Sequence, residues 1–583
     1  MKHVMKFYKP YILTVIAAIA LLFGQALMEL KLPEYMAAII NGGILKGDMS
    51  YIYKTGLIML VIAALMCLFA IGVGFLASRV SAKVGRDVRG ALFRRVTAFS
   101  PAEMETFSTA SLITRATNDV QQVQNATVML IRMAFFAPVM GVGALYQALK
   151  TNFNLSWTIG LSLVAVLILL LVTFFTTMPK FKIVQTMIDK INLVVNERLS
   201  GNLVIRAFNT EKYEEQRFEK ANKDYMNLNL FINKAMALLM PAMFLIMDLV
   251  SVLVVWVGAK YVSAGTLQIG DVLAFIQYAM ILIISFLFIA MMFIMVPRAV
   301  VSMNRIGEVL ATHGTVTDPD SPKTFNQDVP AGTLEFKNVY FKYPDAKAYV
   351  LEDISFVARP GQTTAFIGST GSGKSSLINL VPRFFDASQG QVLVDGTDVK
   401  EVTQKELRAR IGYVPQKALL FSGTIGSNIA FSDESMSPEQ IKKATQVAQA
   451  LDFVNQKEEG FDDPIAQGGG NVSGGQKQRL SIARALAKNA EILVFDDSFS
   501  ALDFTTDAAL RKALKESYSD KTILIVAQRI NTIIDADQIV VLDEGRIVGV
   551  GTHRELLASC PVYMEIASSQ LDADKLEGGE IDG

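Results

Sequence analysis

Disulfide chemistry has almost no material here. The 583 residues hold two cysteines, Cys67 inside an apolar run and Cys560 near the C-terminus, which argues against a disulfide framework. Charge is scarce too. Charged residues make up 19% of the chain against 51% hydrophobic, too apolar for an ordinary soluble protein. The charges that exist cancel, 55 basic against 55 acidic, so nothing suggests a polyanionic partner such as nucleic acid. Lys2, Lys6 and Lys9 precede a long apolar stretch. No small-residue cleavage site follows it, so it reads as a retained helix and not as a signal peptide.

The length excludes a single core, and the uneven charge says where to divide it. Charges are rare in residues 10–180 and common after residue 300, the pattern of a membrane half followed by a soluble half. Six apolar runs, 11–38, 56–78, 126–149, 155–178, 235–262 and 272–297, are each long enough to cross a bilayer, which takes roughly 20 residues. Two of the connections are basic. Segment 79–125 holds Arg79, Lys83, Arg86, Arg89, Arg94, Arg95 and Arg115, and 179–234 holds ten basic residues. The other three hold only Lys46 and Lys54, then Lys150, then Lys260. Positive charge stays inside, which puts both long loops and both termini in the cytoplasm. Both loops have amphipathic helical character, so each extends its flanking membrane helices past the headgroups.

Polar breaks in the apolar pattern are candidate cavity residues. Glu29 lies in the first run and Asp248 in the middle of the fifth, where a charge costs several kcal/mol unless it faces water or a partner. Met236, Met240, Met243, Met247, Met280, Met291, Met292 and Met295 crowd the last two runs. A soft surface of this kind suits varied apolar cargo, and ordinary helix packing explains it nearly as well.

The domain division expected is therefore a transmembrane domain at 1–310, a polar, Pro-containing linker at 311–332, an α/β domain at 333–572 and a tail at 573–583. Gly368-Ser369-Thr370-Gly371-Ser372-Gly373-Lys374-Ser375 follows the apolar strand Thr363–Ile367, and a helix, Ser375–Leu380, which includes Ser376, opens behind it. This is a P-loop in its proper strand–loop–helix context. Its glycines let backbone N–H groups turn toward phosphates, and Lys374 neutralises the outer phosphates. Ser375 offers a hydroxyl to Mg²⁺, and the helix N-terminus adds partial positive charge. A second apolar strand, Ile492–Phe495, ends in Asp496-Asp497, which places Asp496 to hold Mg²⁺. Between them, Val472-Ser473-Gly474-Gly475-Gln476 opens another helix. P-loop ATPases in general have no use for this second Gly-rich helix start. It resembles the signature of an ABC dimer, which implies that one chain's Ser473, Gly474 and Gly475 bind the γ-phosphate of ATP held by the other.

With these motifs the chain resembles an ABC exporter half-transporter of the bacterial multidrug-pump type, over about residues 10–570. The resemblance implies ATP and Mg²⁺ as cofactors and further roles by position. Tyr343 corresponds to the aromatic that stacks on adenine, and Gln416 to the glutamine that reaches Mg²⁺. Ser500-Ala501-Leu502-Asp503 corresponds to the loop coupling two ATP sites. Ser111–Arg115 and Phe208–Tyr213 correspond to the coupling helices. Three positions depart from the family's pattern. Its catalytic Glu is Asp497 here, its switch His is Gln528, and a Glu that contacts the coupling helices in many members is Gln467. The shorter carboxylate and a glutamine that carries no proton imply a site that binds ATP and hydrolyses it poorly. The Ser473–Gln476 signature is intact.

The expectation is the degenerate-site subunit of a heterodimeric exporter in a bacterial plasma membrane. It moves amphiphilic small molecules beside a homologous partner that carries the consensus Glu and His. The alternatives are a homodimeric lipid or peptide exporter and an ATP-gated regulatory subunit.

Overall fold

The computed structural model of the chain describes residues 1–344 and 346–570. The tail expected at 573–583 lies outside the described residues, as do the last two residues of the expected nucleotide domain. Two compact units divide the chain. One is Met1–Thr97 with Thr109–Thr312; the other is Ala98–Ser108 with His313–Gly583.

The first unit is built from six long helices, Lys2–Ile44, Met49–Thr97, Thr109–Thr151, Phe153–Ser200, Glu211–Ser263 and Ile269–Ala311. Each contains one of the apolar runs, and the shortest has 43 residues. At 1.5 Å per residue that reaches about 65 Å, twice the roughly 30 Å hydrocarbon core. At most 25% of the most apolar window of any of them is buried within the chain. A helix that is apolar on its uncovered faces as well as its packed ones is a membrane helix. Where the helices do touch, small residues let them approach: Ala26, Ala144 and Ala148 are fully buried, beside Phe275 and Tyr278. Polar groups fix the contact between the first and last helices. Tyr278 Oη donates to the Leu30 carbonyl at 3.2 Å, and Gly270 N donates to Asn41 Oδ1 at 2.8 Å. A Cβ on Gly270 would lie 2.6 Å from the Ala37 carbonyl oxygen, so glycine permits this crossing.

The second unit pairs an antiparallel sheet with a mostly parallel one. The antiparallel sheet has strand order Leu351–Ala358, Leu334–Phe341, Gln389–Val394, Thr397–Asp398. The larger sheet runs Arg546–Gly551, Gln538–Asp543, Thr363–Gly368, Thr522–Val526, Ile492–Asp496, Ile411–Val414, and only its first pair is antiparallel. Ile492–Asp496 and Thr522–Val526 are buried along their whole length, as central strands covered on both faces must be. Val526 pairs with Asp496 on one side and with Phe366 on the other. The register therefore ends three central strands side by side, so the segments after Gly368, Asp496 and Val526 emerge at one edge, where α/β sheets bind ligands.

The second unit also takes in Ala98–Ser108, a piece of the first long loop. Pro101 at the first helical position and a Ser100–Glu103 capping box start a separate helix, Pro101–Thr106. Glu103 is buried. It accepts from Ser100 N at 2.8 Å and from Thr315 N at 2.9 Å, so it ties this helix to the start of the linker. Ser111–Arg115, expected as a coupling segment, lies just beyond this piece. It opens the third long helix, and Arg115 donates to the Arg305 carbonyl and to Glu308 within the membrane unit.

Candidate functional site

The loop after strand Thr363–Gly368 turns on glycines with left-handed backbone, φ 155° at Gly368, 90° at Gly371 and 96° at Gly373. Two of them are also spatially compelled. A Cβ on Gly368 would lie 2.0 Å from the Leu542 carbonyl oxygen, and one on Gly373 would lie 2.7 Å from the Leu351 side chain. The helix behind the loop starts at Lys374 and runs to Leu380. Lys374 folds back over the loop and donates to the Gly368 carbonyl at 2.9 Å, the Ser369 carbonyl at 2.7 Å and Ser372 Oγ at 3.2 Å. A buried ammonium over a glycine-rich turn at a helix start suits an anion. Burial pushes its pKa below the usual lysine range, against the pull of Asp497 and Asp496.

Ser375 Oγ donates to Asp496 Oδ1 at 3.1 Å, so the hydroxyl and carboxylate expected to share Mg²⁺ do lie together. Tyr413 Oη donates to Asn379 at 3.1 Å and lies 3.5 Å from Asp496 Oδ2. Burial raises the Asp496 carboxyl above the ordinary range, helped by neighbouring Asp497 and opposed by the bonds from Ser375 and Tyr413 and by Lys374. A divalent cation bound there would reverse that penalty, so the donor set fits a hard oxygen-seeking ion. Tyr343 is half-buried, its hydroxyl 2.9 Å from Ser376 Oγ and its ring edge-on to Phe341 and Phe385.

Asp497 is buried and adopts φ 47° just past the strand end. Its Oδ2 accepts from Gln528 Nε2 at 2.7 Å and from Gln416 Nε2 at 3.2 Å. The three residues singled out from sequence thus meet at one oxygen atom. Ser500 Oγ donates to the Asp497 carbonyl at 2.8 Å, and Asp503 caps the following helix through Thr506 N at 2.9 Å. Ser500 and Ala501 are exposed, while Leu502 anchors the loop in the core.

The signature helix, Gly474–Ala487, begins with Ser473 as N-cap. Ser473 N donates to Gln476 Oε1 at 3.0 Å, and Ser473 Oγ accepts from Gln476 N at 3.3 Å. Ser473 and Gly474 are exposed. A Cβ on Gly475 would lie 3.6 Å from the Ala501 carbonyl oxygen, so the signature abuts this chain's own coupling loop. Gln467 is exposed in a short 3-10 turn. In the membrane unit Glu29 is partly buried and Asp248 is exposed. Phe208 follows a short helix, Asn202–Ala207, and Tyr213 lies in the first turn of the next; both are exposed, as are Leu203 and Val204.

Family comparison gives both halves a relationship. The model for the ABC transporter transmembrane region matches residues 15–286, and the ABC transporter model matches 351–500. Rv1273c of Mycobacterium tuberculosis, an uncharacterized ABC transporter ATP-binding protein, is 41% identical over 568 residues, 96% of this chain and 97% of its own length. An ATP-dependent lipid A-core flippase of Pseudomonas aeruginosa is 33% identical, over 90% of this chain and 86% of its length. A bacterial Atm1-family ABC exporter solved with ATP bound superposes with a TM-score of 0.77 at 26% identity, covering 97% of this chain and 99% of the other. The chain therefore belongs to the ABC transporter family, as an exporter in which a six-helix transmembrane region is fused to an ATPase domain.

Proposed function

We propose that this chain is one half of a two-subunit exporter, that its own site holds Mg²⁺-ATP but hydrolyses it slowly, and that its signature helix completes the fast site of a homologous partner. The observation that carries the reading is the shared oxygen: Asp497 Oδ2 takes amide hydrogens from both Gln528 and Gln416. A water-orienting carboxylate needs a lone pair directed at the water. Here the side chain is one methylene shorter than Glu and two amides occupy one of its oxygens. A displacement of about 1 Å in such a group can cost on the order of 10²-fold in rate. Neither glutamine can carry a proton.

Binding is a separate matter, and its residues are in place. Lys374 and the P-loop amides would take the phosphates, Ser375, Asp496 and Gln416 would hold the Mg²⁺, and Tyr343 would stack on the adenine. ATP supplies the closure energy that swings the helices between inward-facing and outward-facing states. This chain's part is to hold ATP in its own site and to present Ser473, Gly474 and Gly475 to the partner's γ-phosphate. The exposed signature start supports that role. Leu203, Val204, Phe208 and Tyr213, exposed at the turn of the second long loop, support docking on a second subunit. The basic inner loops support a cytoplasmic nucleotide domain, and the bacterial relatives support a bacterial plasma membrane. The relative named as a lipid A-core flippase supports a lipid-like amphiphile as cargo.

Nucleotide trapping tests the reading. After several turnovers of the assembled complex with labelled ATP, the nucleotide in this chain's P-loop should be unhydrolysed ATP. Mostly ADP there, or full ATPase activity from the chain alone, supports instead a homodimer with two working sites.

A further inference from the structure

The membrane unit contains a cavity of about 530 Å³ between its first, second, third and sixth helices. Three of its lining residues are polar: Gln25, Asn125 and Arg132. Arg132 lies roughly two turns inside the apolar run that begins at residue 126. The helix there is not regular. Leu130–Ala134 forms a π turn, an insertion that re-aims side chains and recurs at functional sites. Ion pairs among the described residues of this unit join Lys31 to Glu34, Arg86 to Asp87, Arg115 to Glu308, Arg217 to Glu197 and Glu214, and Arg305 to Asp119; Arg132 is in none of them. An unpaired guanidinium at this depth is costly and marks a functional position by default.

We infer that this cavity binds the anionic head of an amphiphile, a phosphate, sulfate or carboxylate on an apolar tail, with Arg132 as the charged contact. The inference rests on the exporter reading above and names the cargo class for it. Guanidinium is the side chain best shaped to take two oxygens of such a group at once. Asn125 is oriented to help. Its Oδ1 accepts from Gln121 Nε2 at 3.0 Å, which leaves its amide nitrogen to donate. Gln25 adds a second amide. The rest of the wall, including Met129, Met133, Phe136 and Phe288, is apolar and adaptable, as a tail requires. No carboxylate lines the cavity; Glu29 and Asp248, which would favour cations, are not part of it.

Binding to the full-length chain, purified with any subunit that accompanies it in zwitterionic-lipid nanodiscs, tests this directly. The probes are a fluorophore-tagged dodecyl phosphate and its trimethylammonium counterpart. Wild type should prefer the phosphate probe by about tenfold or more. Arg132→Gln should remove that preference by weakening the phosphate probe alone, and Arg132→Lys should keep most of it. Equal binding of the two probes to wild type, or equal loss of both in Arg132→Gln, overturns the inference. If Arg132→Gln fails to assemble, Gln25→Leu decides: it should weaken the phosphate probe and spare the cationic one, and the reverse overturns the inference. Inorganic phosphate separates a headgroup site from a tail-reading one. If it displaces the probe as well as untagged dodecyl phosphate does, the site is a simple anion site and the amphiphile assignment falls. The export reading fails separately, if the complex carries neither probe across proteoliposomes.

Discussion

Gln528 Nε2 donates to Asp497 Oδ2 at 2.7 Å. The residue at the switch position therefore holds the residue at the base position, and Gln416 reaches the same atom at 3.2 Å. On the proposed reading, restoring one partner alone leaves the other defect in place. Asp497→Glu should raise turnover at this site less than tenfold, because Gln528 still supplies no acid or base. Asp497→Glu with Gln528→His should raise it by about tenfold or more. A single-site ATPase assay in the assembled complex measures both. A tenfold rise from Asp497→Glu alone would mean that carboxylate length was the only defect.

On the proposed reading Asp496 serves its ion at a cost to the apo fold. Its native pKa is raised, first by burial. A raised carboxyl adds stability below the ordinary carboxylate pKa and loses it as pH rises through the native value. At neutral pH the ionised group is a penalty that Mg²⁺ relieves. Asp496→Asn should therefore raise the apo melting temperature by about 2 °C or more at neutral pH. It should also remove the extra stabilisation that Mg²⁺ adds to ATP. A lower apo melting temperature would contradict this.

Glu103 runs the other way. Burial alone would raise its pKa, but the bonds from Ser100 and Thr315 outweigh it and the carboxyl lies below the usual range. Its contribution is present above the ordinary glutamate pKa and lost as pH falls through the native value. Glu103→Gln should cost about 1–3 kcal/mol at neutral pH, with the gap to wild type closing below about pH 4. Thermal melts across pH measure it; a gap that does not change with pH would contradict it. Because Glu103 ties a piece of the first long loop to the linker, the same variant should weaken stimulation of ATP turnover by a transported amphiphile.

Sequence carried the site further than it carried the loops. Gly368 through Ser375, Asp496 and Ser473 through Gln476 were legible because each needs a particular residue type at a fixed place after a strand or before a helix. The helix behind the signature begins at Gly474, earlier than the apolar pattern suggests, because the Ser473 cap sets its start. The meeting of Gln416, Asp497 and Gln528 was not legible: they are 81 and 31 residues apart, and only the parallel register brings them together. The Pro101–Thr106 helix had a local signal, Ser100-Pro101 with Glu103 three positions after Ser100, lost within a long loop that reads as helical throughout. Arg132 disappeared into the average of an apolar run, although a lone arginine in such a run is itself the signal.

The central claim is that this chain lends its signature to a partner's fast site and keeps a slow site for itself. The direct measurement is the ATP turnover of the assembled complex carrying Ser473→Arg or Asp497→Asn in this chain. Ser473→Arg puts a bulky charge at an exposed, phosphate-facing helix start and should abolish turnover. Asp497→Asn alters a position that already contributes little and should leave most of it. Silencing by Asp497→Asn with turnover spared by Ser473→Arg would contradict the account.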